Sequence, residues 1–286
     1  MERKKTGLTM VELLVVLAII ALLVGLLLPA LSVVRNMAKE TKQKAQFATI
    51  ELALAAFKND DGDYPPSNWT PAPFTGDYCG AQKLAEALLG WDLLGFHPNS
   101  AWRADGLDVG GGLGTYDPAQ TRDNNGDGIP DTFDERKGPY LELATLDAFK
   151  LVDLFRPNPV GPLDPDTFVI CDVFGKEKIV LPNGKTTRAG APILYYRANT
   201  SGKIIREVYR VSDNDALVIA KQQADADGRE HPLSRPDNQY EFFYNYIRDA
   251  KITARAWPYR PDSYLLISAG ADGLYGTSDD ICNFGN

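Results

Sequence analysis

The sequence predicts an α+β protein that begins with one long helix. An uncharged apolar run covers residues 13–28 and extends to residue 31. Apolar residues then recur at helical spacing to about Lys58, where the turn-rich stretch "NDDGDYPPS" must end the helix. From about Trp69 onward, short apolar or aromatic runs alternate with Gly, Pro, Asn and Asp, without a βαβ repeat. These observations predict a helix followed by a domain of short strands and helices.

The apolar run is about as long as a helix that crosses a bilayer. A cleaved secretory signal would be shorter and would end at a small-x-small site, which "LLLPALSVV" does not provide. Arg3, Lys4 and Lys5 precede the run, so the positive-inside rule places the N-terminus in the cytoplasm. We therefore expect a single-pass membrane protein whose remaining chain lies outside the cytoplasm.

Glu12 is an anomaly at the start of this run. A carboxylate at the edge of the hydrocarbon is costly unless a cation or donor meets it, and the run itself contains no positive charge. Its partner then comes from another chain. The alternative is that Glu12 lies hydrated at the level of the lipid headgroups.

The stretch "KKTGLTMVE" with the apolar helix behind it resembles the class III signal of type IV pilins and type II secretion pseudopilins. The resemblance implies that prepilin peptidase cuts between Gly7 and Leu8 and methylates the new N-terminus, although Leu8 stands where phenylalanine is usual. Glu12 matches the glutamate that neutralises the N-terminal amine of a neighbouring subunit. Pro29 falls where the family often has a proline, which removes one helical hydrogen bond.

The same resemblance implies the organisation of the chain. The expected fold is pilin-like, with the outer half of the helix packed on an antiparallel sheet and long calcium-binding loops. The expected segments are a leader peptide at 1–7, a transmembrane and assembly helix at 8–31, an amphipathic continuation at 32–60 and an extracytoplasmic globular domain at 61–286.

Further elements follow from local patterns. In the first helix, one stripe is predicted from Ala48, Leu52 and Ala55, and a neighbouring stripe from Phe47, Ile50, Leu54 and Phe57. A second helix is predicted at "AQKLAEALLGW". Strands are predicted at "TFVICDVF", "EKIVL", "APILYYRA", "KIIREVYRV" and "DSYLLISAG".

The stretch "DNNGDGIPDTFD" has a register like that of an EF-hand loop. Alternating Asp and Asn around a glycine point their oxygens inward, and hard Ca²⁺ binds six to eight oxygens. The last position is an aspartate rather than a bidentate glutamate, which is closer to dockerin or thrombospondin-type loops. We expect one Ca²⁺ here; a solvated Asp/Asn turn is the alternative. The candidate ligands are Asp123, Asn125, Asp127, Ile129 through its carbonyl, Asp131 and Asp134.

The C-terminal stretch "SAGADGLYGTSDDICN" resembles the calcium loop of the major pseudopilin of type II secretion. The resemblance implies Asp272, Asp279 and Asp280 as ligands of a second Ca²⁺. Without it, a stretch rich in Gly and Asp is more often an ordinary turn.

Composition and missing motifs limit the remaining classes of function. The net charge of −8 argues against a nucleic-acid surface. The three cysteines Cys79, Cys171 and Cys282 are too few for a disulfide framework, and the sequence leaves their pairing open. No nucleophile elbow, HExxH helix, Walker loop or Rossmann fingerprint is present, so we expect no enzyme.

The predicted function is therefore structural. We expect a subunit of a type II secretion pseudopilus or type IV pilus-like filament, which polymerises from the inner membrane helix against helix. Its expected partners are prepilin peptidase, other pilin or pseudopilin subunits and the inner-membrane assembly platform. The alternative is a membrane-tethered, calcium-stabilised binding or adhesin module.

Overall fold

The computed structural model describes residues 9–69, 77–107, 114–117, 126, 128, 131–156, 160–225, 228–234 and 239–285. The chain divides into two compact units, Met1–Lys42 and Gln43–Asn286. Helix α1, Met10–Asp61, contributes to both units. The second unit thus begins inside the predicted segment 32–60, because the last part of the helix packs within the globular domain.

In the first unit, α1 has no core of its own. Every side chain described between Met10 and Lys42 is exposed, including the apolar residues of the run. By length and composition this helix can cross a membrane. An apolar surface of this length is stable only against lipid or other protein.

The second unit contains short helices and strands. The helices after α1 are α2 (Gly80–Leu89), α3 (Asp131–Asp134), α4 (Leu151–Phe155), α5 (Ile205–Val208), α6 (Asp215–Ala224) and α7 (Gln239–Tyr246). The strands are β1 (Asp147–Lys150), β2 (Phe168–Cys171), β3 (Glu177–Val180), β4 (Thr186–Ala189), β5 (Leu194–Arg197), β6 (Tyr264–Ser268) and β7 (Ile281–Cys282).

All described strand pairs are antiparallel, and they form three small sheets, β1-β2, β3-β4 and β5-β6-β7. Two of these sheets are linked by backbone hydrogen bonds. The Asp172 N–H donates to the Ala191 carbonyl, and the Ile193 N–H donates to the Ile170 carbonyl, each at 2.8 Å. The segment before β5 thus runs beside β2, which places β1, β2, β5, β6 and β7 in one continuous arrangement.

Helices cover this arrangement on both faces. On one face, Ile170, Tyr195 and Leu266 pack in a cluster with side chains of α1 and α2. On the other face, the alternate residues of the same strands pack in a second cluster with α4, α5, α6 and α7. Strands that are buried on both faces need apolar side chains at successive positions, which explains the unbroken runs "FVIC" and "YLLIS".

The end of α1 packs through one of the two predicted stripes. Phe47, Ile50, Leu54 and Phe57 are buried, as predicted. The neighbouring stripe of Ala48, Leu52 and Ala55 is exposed, with Leu52 at 73%.

Polar side chains of α1 add to this packing. The Gln46 side chain donates to the Cys171 carbonyl, and the Gln43 side-chain oxygen accepts from the Val173 N–H, each at 3.0 Å. These bonds satisfy backbone groups at the end of β2 that the sheet leaves open.

The predicted strand "KIIREVYRV" is wrong. The chain forms α5 here, followed by a 3₁₀ turn at Val211–Asp213. Ile205, Val208 and Val211 are buried, while most residues between them are exposed. A spacing of three residues places these side chains on one helical face, and this outweighs their preference for strands.

Asp172 connects β2 to β6 through a buried carboxyl group. Its side chain is 1% exposed, accepts from the Phe174 N–H at 3.1 Å, and accepts from the Ser268 hydroxyl at 3.0 Å. Burial raises the pKa of Asp172 from its ordinary value of 3.8 to about 6. The folded state therefore favours the neutral acid.

The Asp172→Asn variant is expected to gain stability over the parent as pH rises. The neutral acid stabilises the fold below about pH 4, and this contribution is lost as pH rises through about 6, at a cost of about 3 kcal/mol. Asparagine stays neutral, so its melting temperature should exceed that of the parent above about pH 7 and not below about pH 4. The exposed control Asp262→Asn should show no such trend; equal pH profiles for Asp172→Asn and the parent would contradict the assignment.

Candidate assembly site and candidate calcium loops

Thr9 and Glu12 form a capping box at the start of α1. The Thr9 carbonyl accepts the first helical hydrogen bond, from Leu13, at 3.2 Å. The Thr9 N–H and hydroxyl both donate to Glu12 Oε2 at 2.8 Å, and the Glu12 N–H donates back to Thr9 Oγ1 at 3.3 Å. The carboxylate thereby satisfies backbone and hydroxyl donors at a helix N-terminus, where the helix dipole also favours negative charge.

This geometry gives Glu12 a partner within its own chain. The sequence-based expectation was that the partner of Glu12 comes from another chain, and it did not include Thr9. The signal was present, since Thr followed three residues later by Glu before an apolar run is a capping box. The predicted processing residues Gly7 and Leu8 lie outside the described residues, so their roles stay predictions.

The C-terminal loop brings two of its predicted ligands together. The Asp272 N–H donates to Asp279 Oδ2 at 2.7 Å, and the Thr277 hydroxyl donates to Asp279 Oδ1 at 2.6 Å. Burial raises the pKa of Asp279, but these donors outweigh burial and hold it below its usual range. Burial and the nearby Asp279 raise the pKa of Asp272. Two neighbouring carboxylates therefore share this turn.

Close backbone packing fixes the same turn. Gly270 has φ +62°, and a Cβ atom there would lie 2.1 Å from the Asp279 carbonyl oxygen. Only glycine fits this position without a shift of the backbone.

The third predicted ligand, Asp280, has other partners. Its Oδ2 accepts from the Tyr246 hydroxyl and from the Gly276 N–H, each at 2.7 Å. Burial raises the pKa of Asp280 to about 7. The Tyr246 hydroxyl also lies 3.1 Å from Cys282 Sγ, and the structure leaves all three cysteines unpaired. Asp280 thus ties the loop to α7.

The first predicted calcium loop is only partly described. Asp123, Asn125, Asp127 and Ile129 lie outside the described residues, and so does the side chain of Asp131 at the start of α3. Asp134, the last residue of α3, is exposed.

The two sides of this loop meet at its base. The Thr132 hydroxyl donates to the Thr115 carbonyl at 2.9 Å, which joins the two ends of the intervening segment. After α3, Arg136 Nη1 donates to both carboxylate oxygens of Asp92 at 2.6 and 2.8 Å, which ties the chain to the segment that follows α2. Because the ends of this segment are already held together, a bound ion would have to order fewer residues at a lower cost in conformational entropy.

The donor set of both stretches is chemically suited to calcium, because it consists of carboxylate, amide and carbonyl oxygens. The described part of the chain contains no group of three or more His, Cys, Asp or Glu side chains arranged to hold a metal ion. In the C-terminal loop, the carboxylate oxygens instead accept bonds from backbone and hydroxyl donors. Calcium at either loop remains a prediction.

Comparison with known proteins concerns the N-terminus. Residues 3–28 match the family model of the prokaryotic N-terminal methylation motif. This chain carries a class III signal of type IV pilins and pseudopilins. The motif implies processing by prepilin peptidase and assembly with pilin-like subunits, and together with the apolar helix it fits membrane anchoring. The fold behind it, a long helix with small antiparallel sheets, is consistent with a pilin-like α+β protein. No curated protein and no solved structure matches the chain.

The Thr9→Val variant should loosen the first turn of α1 in the unassembled chain. Valine keeps the shape of the side chain but removes the hydroxyl that bonds to Glu12, so amide hydrogen exchange at residues 11–13 should accelerate several-fold. The measurement is hydrogen exchange on the full chain in detergent micelles. Thr49→Val is a matched control, since its hydroxyl bonds only to the Ala45 carbonyl within the helix; unchanged exchange in Thr9→Val would contradict the capping role.

Proposed function

We propose that the chain is a structural subunit of a type II secretion pseudopilus or type IV pilus-like filament. The observation that carries this proposal is the methylation motif at residues 3–28, whose apolar part forms the first part of the 52-residue helix α1, which starts at Met10. In the proposed cycle, prepilin peptidase cuts between Gly7 and Leu8, and the processed subunit leaves the inner membrane to join the filament.

The distribution of exposed apolar surface supports a polymer. The domain from Gln43 onward buries both faces of its main strand arrangement with its own helices. Large exposed apolar side chains are instead concentrated between Met10 and Met37. Contacts with lipid, and later with neighbouring subunits, would cover this part of the helix.

In this proposal, Glu12 exchanges one partner for another. In the single chain, its carboxylate accepts from Thr9. In the filament, the ammonium at Leu8 of a neighbouring subunit would take its place, which converts a neutral hydroxyl contact into a charge pair in a dry environment. Such a pair sets the register of neighbouring helices, because a misplaced charge has no partner.

Glu12→Gln and Glu12→Ala should both be processed and should both fail to assemble. Loss of one member of a buried ion pair costs about 3 kcal/mol or more, so filament-associated protein should fall more than about tenfold. The measurement is the amount of protein in sheared surface filaments, together with the intact mass of the membrane-bound protein. Glu40→Gln, an exposed glutamate on the same helix, is the control.

The outcomes are distinct. A parent mass beginning at Leu8, with or without one methyl group, and loss of filaments only in the Glu12 variants would support the proposal. An uncleaved parent chain, or one that enters no polymer, would overturn it and would favour a membrane-tethered binding module.

We also propose that Ca²⁺ stabilises the loop of residues 123–134. Its support is the alternation of Asp and Asn around glycine, together with the hydrogen bond between Thr132 and Thr115 at the base. A cation that binds only the folded state stabilises it by about 2.7 kcal/mol at a hundredfold excess over its dissociation constant. The C-terminal loop with Asp272 and Asp279 is proposed as a second site.

The Asp127→Ala variant should melt below the parent in calcium and at the same temperature in a chelator. The reason is that the lost carboxylate matters only when the cation is bound. Differential scanning calorimetry of the full chain in micelles measures the effect, with the exposed Glu142→Gln as control. Equal melting of Asp127→Ala and the parent in calcium would exclude a calcium site in this loop.

A further inference from the structure

A polar cleft of about 560 Å³ lies in the globular unit, away from the candidate sites. Its walls are residues 66–68, residues 197–201 at the end of β5, and four residues from α5 to the 3₁₀ turn, namely Glu207, Val208, Arg210 and Asp213. The volume is in the range of small-molecule sites. No aromatic side chain is among its described lining residues, so the cleft does not offer the stacking surfaces on which sugars and nucleobases usually bind.

The floor of the cleft holds a buried carboxylate with incomplete hydrogen bonding. Asp213 is 4% exposed, and its Oδ2 accepts from the Ser67 hydroxyl at 2.5 Å. Ser67 has no second hydrogen to donate, because a hydroxyl has only one; its oxygen accepts from the Arg197 N–H at 2.9 Å. Its Oδ1 is buried and has no hydrogen bond of good geometry within the described residues, although the Trp69 N–H lies near enough to the carboxylate to lower its pKa. Such an orphaned oxygen is costly unless a donor reaches it.

The buried charged groups described around Asp213 include two carboxylates but only one ammonium. Lys83 is buried and donates to the Asn68 carbonyl at 2.6 Å, and it interacts electrostatically with both Glu86 and Asp213. One ammonium thus serves two buried carboxylates. Burial raises the pKa of Asp213 to about 6, so this carboxylate is ionised at neutral pH and attracts a further cation.

The opening of the cleft carries two guanidinium groups, those of Arg197 and Arg210, and one carboxylate. That carboxylate belongs to Glu207, whose Oε2 accepts from the Lys203 N–H at 2.7 Å. Arg210 is exposed at the rim and lies close enough to Asp213 to lower the pKa of that carboxyl. The two residues are held by one turn, in which the Asp213 N–H donates to the Arg210 carbonyl at 3.2 Å. A second guanidinium at the rim, that of Arg197, is paired with Asp63. Arg210 is therefore the guanidinium to which we assign an incoming anion.

We propose that this cleft binds a small zwitterion, with its ammonium group at Asp213 and its carboxylate at Arg210. An α-amino acid and a short peptide with free ends share this chemistry, and the cleft has room for either. The inference is independent of filament assembly, because every residue that it uses belongs to the globular unit.

The test is calorimetric titration of the full chain in detergent micelles at neutral pH. The probes are L-alanine, trialanine, N-acetyl-trialanine and trialanine amide. Saturable binding of alanine or trialanine is expected, and Asp213→Asn and Arg210→Gln should each weaken it about tenfold, as for the loss of one charged hydrogen bond. Arg248→Gln, an exposed arginine outside the cleft, should bind like the parent.

The blocked peptides test each assigned contact if trialanine binds. N-acetyl-trialanine should bind the parent more weakly than trialanine does, but the two peptides should bind Asp213→Asn with similar affinity. Likewise, trialanine amide should bind the parent more weakly than trialanine does, but the two should bind Arg210→Gln with similar affinity. If only alanine binds, the pH dependence of its affinity should follow Asp213 in the parent and disappear in Asp213→Asn. Arg210 is exposed, so its variant should remain folded even if Asp213→Asn does not.

Tighter binding of alanine would identify free amino acids as the ligand, and tighter binding of trialanine would identify short peptides. Absence of saturable binding by both probes to about 10 mM would overturn the proposal. Binding that Arg210→Gln leaves unchanged would overturn it as well.

Discussion

The packing of the last part of α1 on the strand arrangement is the interaction on which the globular unit depends. Phe47, Ile50, Leu54 and Phe57 bury one stripe of the helix in the same cluster as the strand residues. Burial of such side chains is worth about 1.5–3 kcal/mol each, so the stripe is a large part of the net stability of a domain. Without this helix, one face of the strands would be exposed apolar surface, and the backbone groups at the end of β2 would lose Gln43 and Gln46.

The long middle of the chain has a structural role that follows from the same packing. Residues between β5 and β6 form α5, α6 and α7, and these cover the second face of the strands together with α4. A sheet that helices cover on both sides can be apolar at every position of a strand. The residues between β5 and β6 thus enclose the sheet. They also form one wall of the polar cleft through the turn that carries Arg210 and Asp213.

Sequence patterns predicted four of the strands. They failed at α5, where the residue types favour a strand but the spacing of the apolar residues is helical. β2, β3, β5 and β6 lie inside predicted runs. Burial on both faces leaves continuous apolar stretches in β2, β5 and β6, whereas in β3 only Ile179 is buried. The α5 region was assigned to a strand since Ile and Val favour strands, although their spacing is helical. The short strands β1, β4 and β7 were missed because their residues are largely polar or few, and their pairing depends on distant partners.

The candidate sites divide in the same way. Glu12 and the N-cap residue Thr9 are neighbours in the sequence, and the candidate ligands of the 123–134 loop also lie within one short stretch. The cleft is different: Ser67, Lys83 and Asp213 come from segments far apart in the chain, and only the fold brings them together. No spacing rule in the sequence could have found that group, because its chemistry arises from burial rather than from a motif.

Helix α1 has an exposed apolar surface in its first part and a buried stripe in its last part. From Leu13 to Leu31, α1 contains only apolar residues and glycine, and from Gln43 onward it buries one stripe in its own domain. Between them lie exposed charged residues, Arg35, Lys39, Glu40 and Lys42. Charges of this kind are stable in water and costly in hydrocarbon, so they fix the point at which the helix must leave an apolar environment. The domain can therefore fold with its core complete, while the apolar part of the helix has its surface satisfied only by lipid or by other subunits.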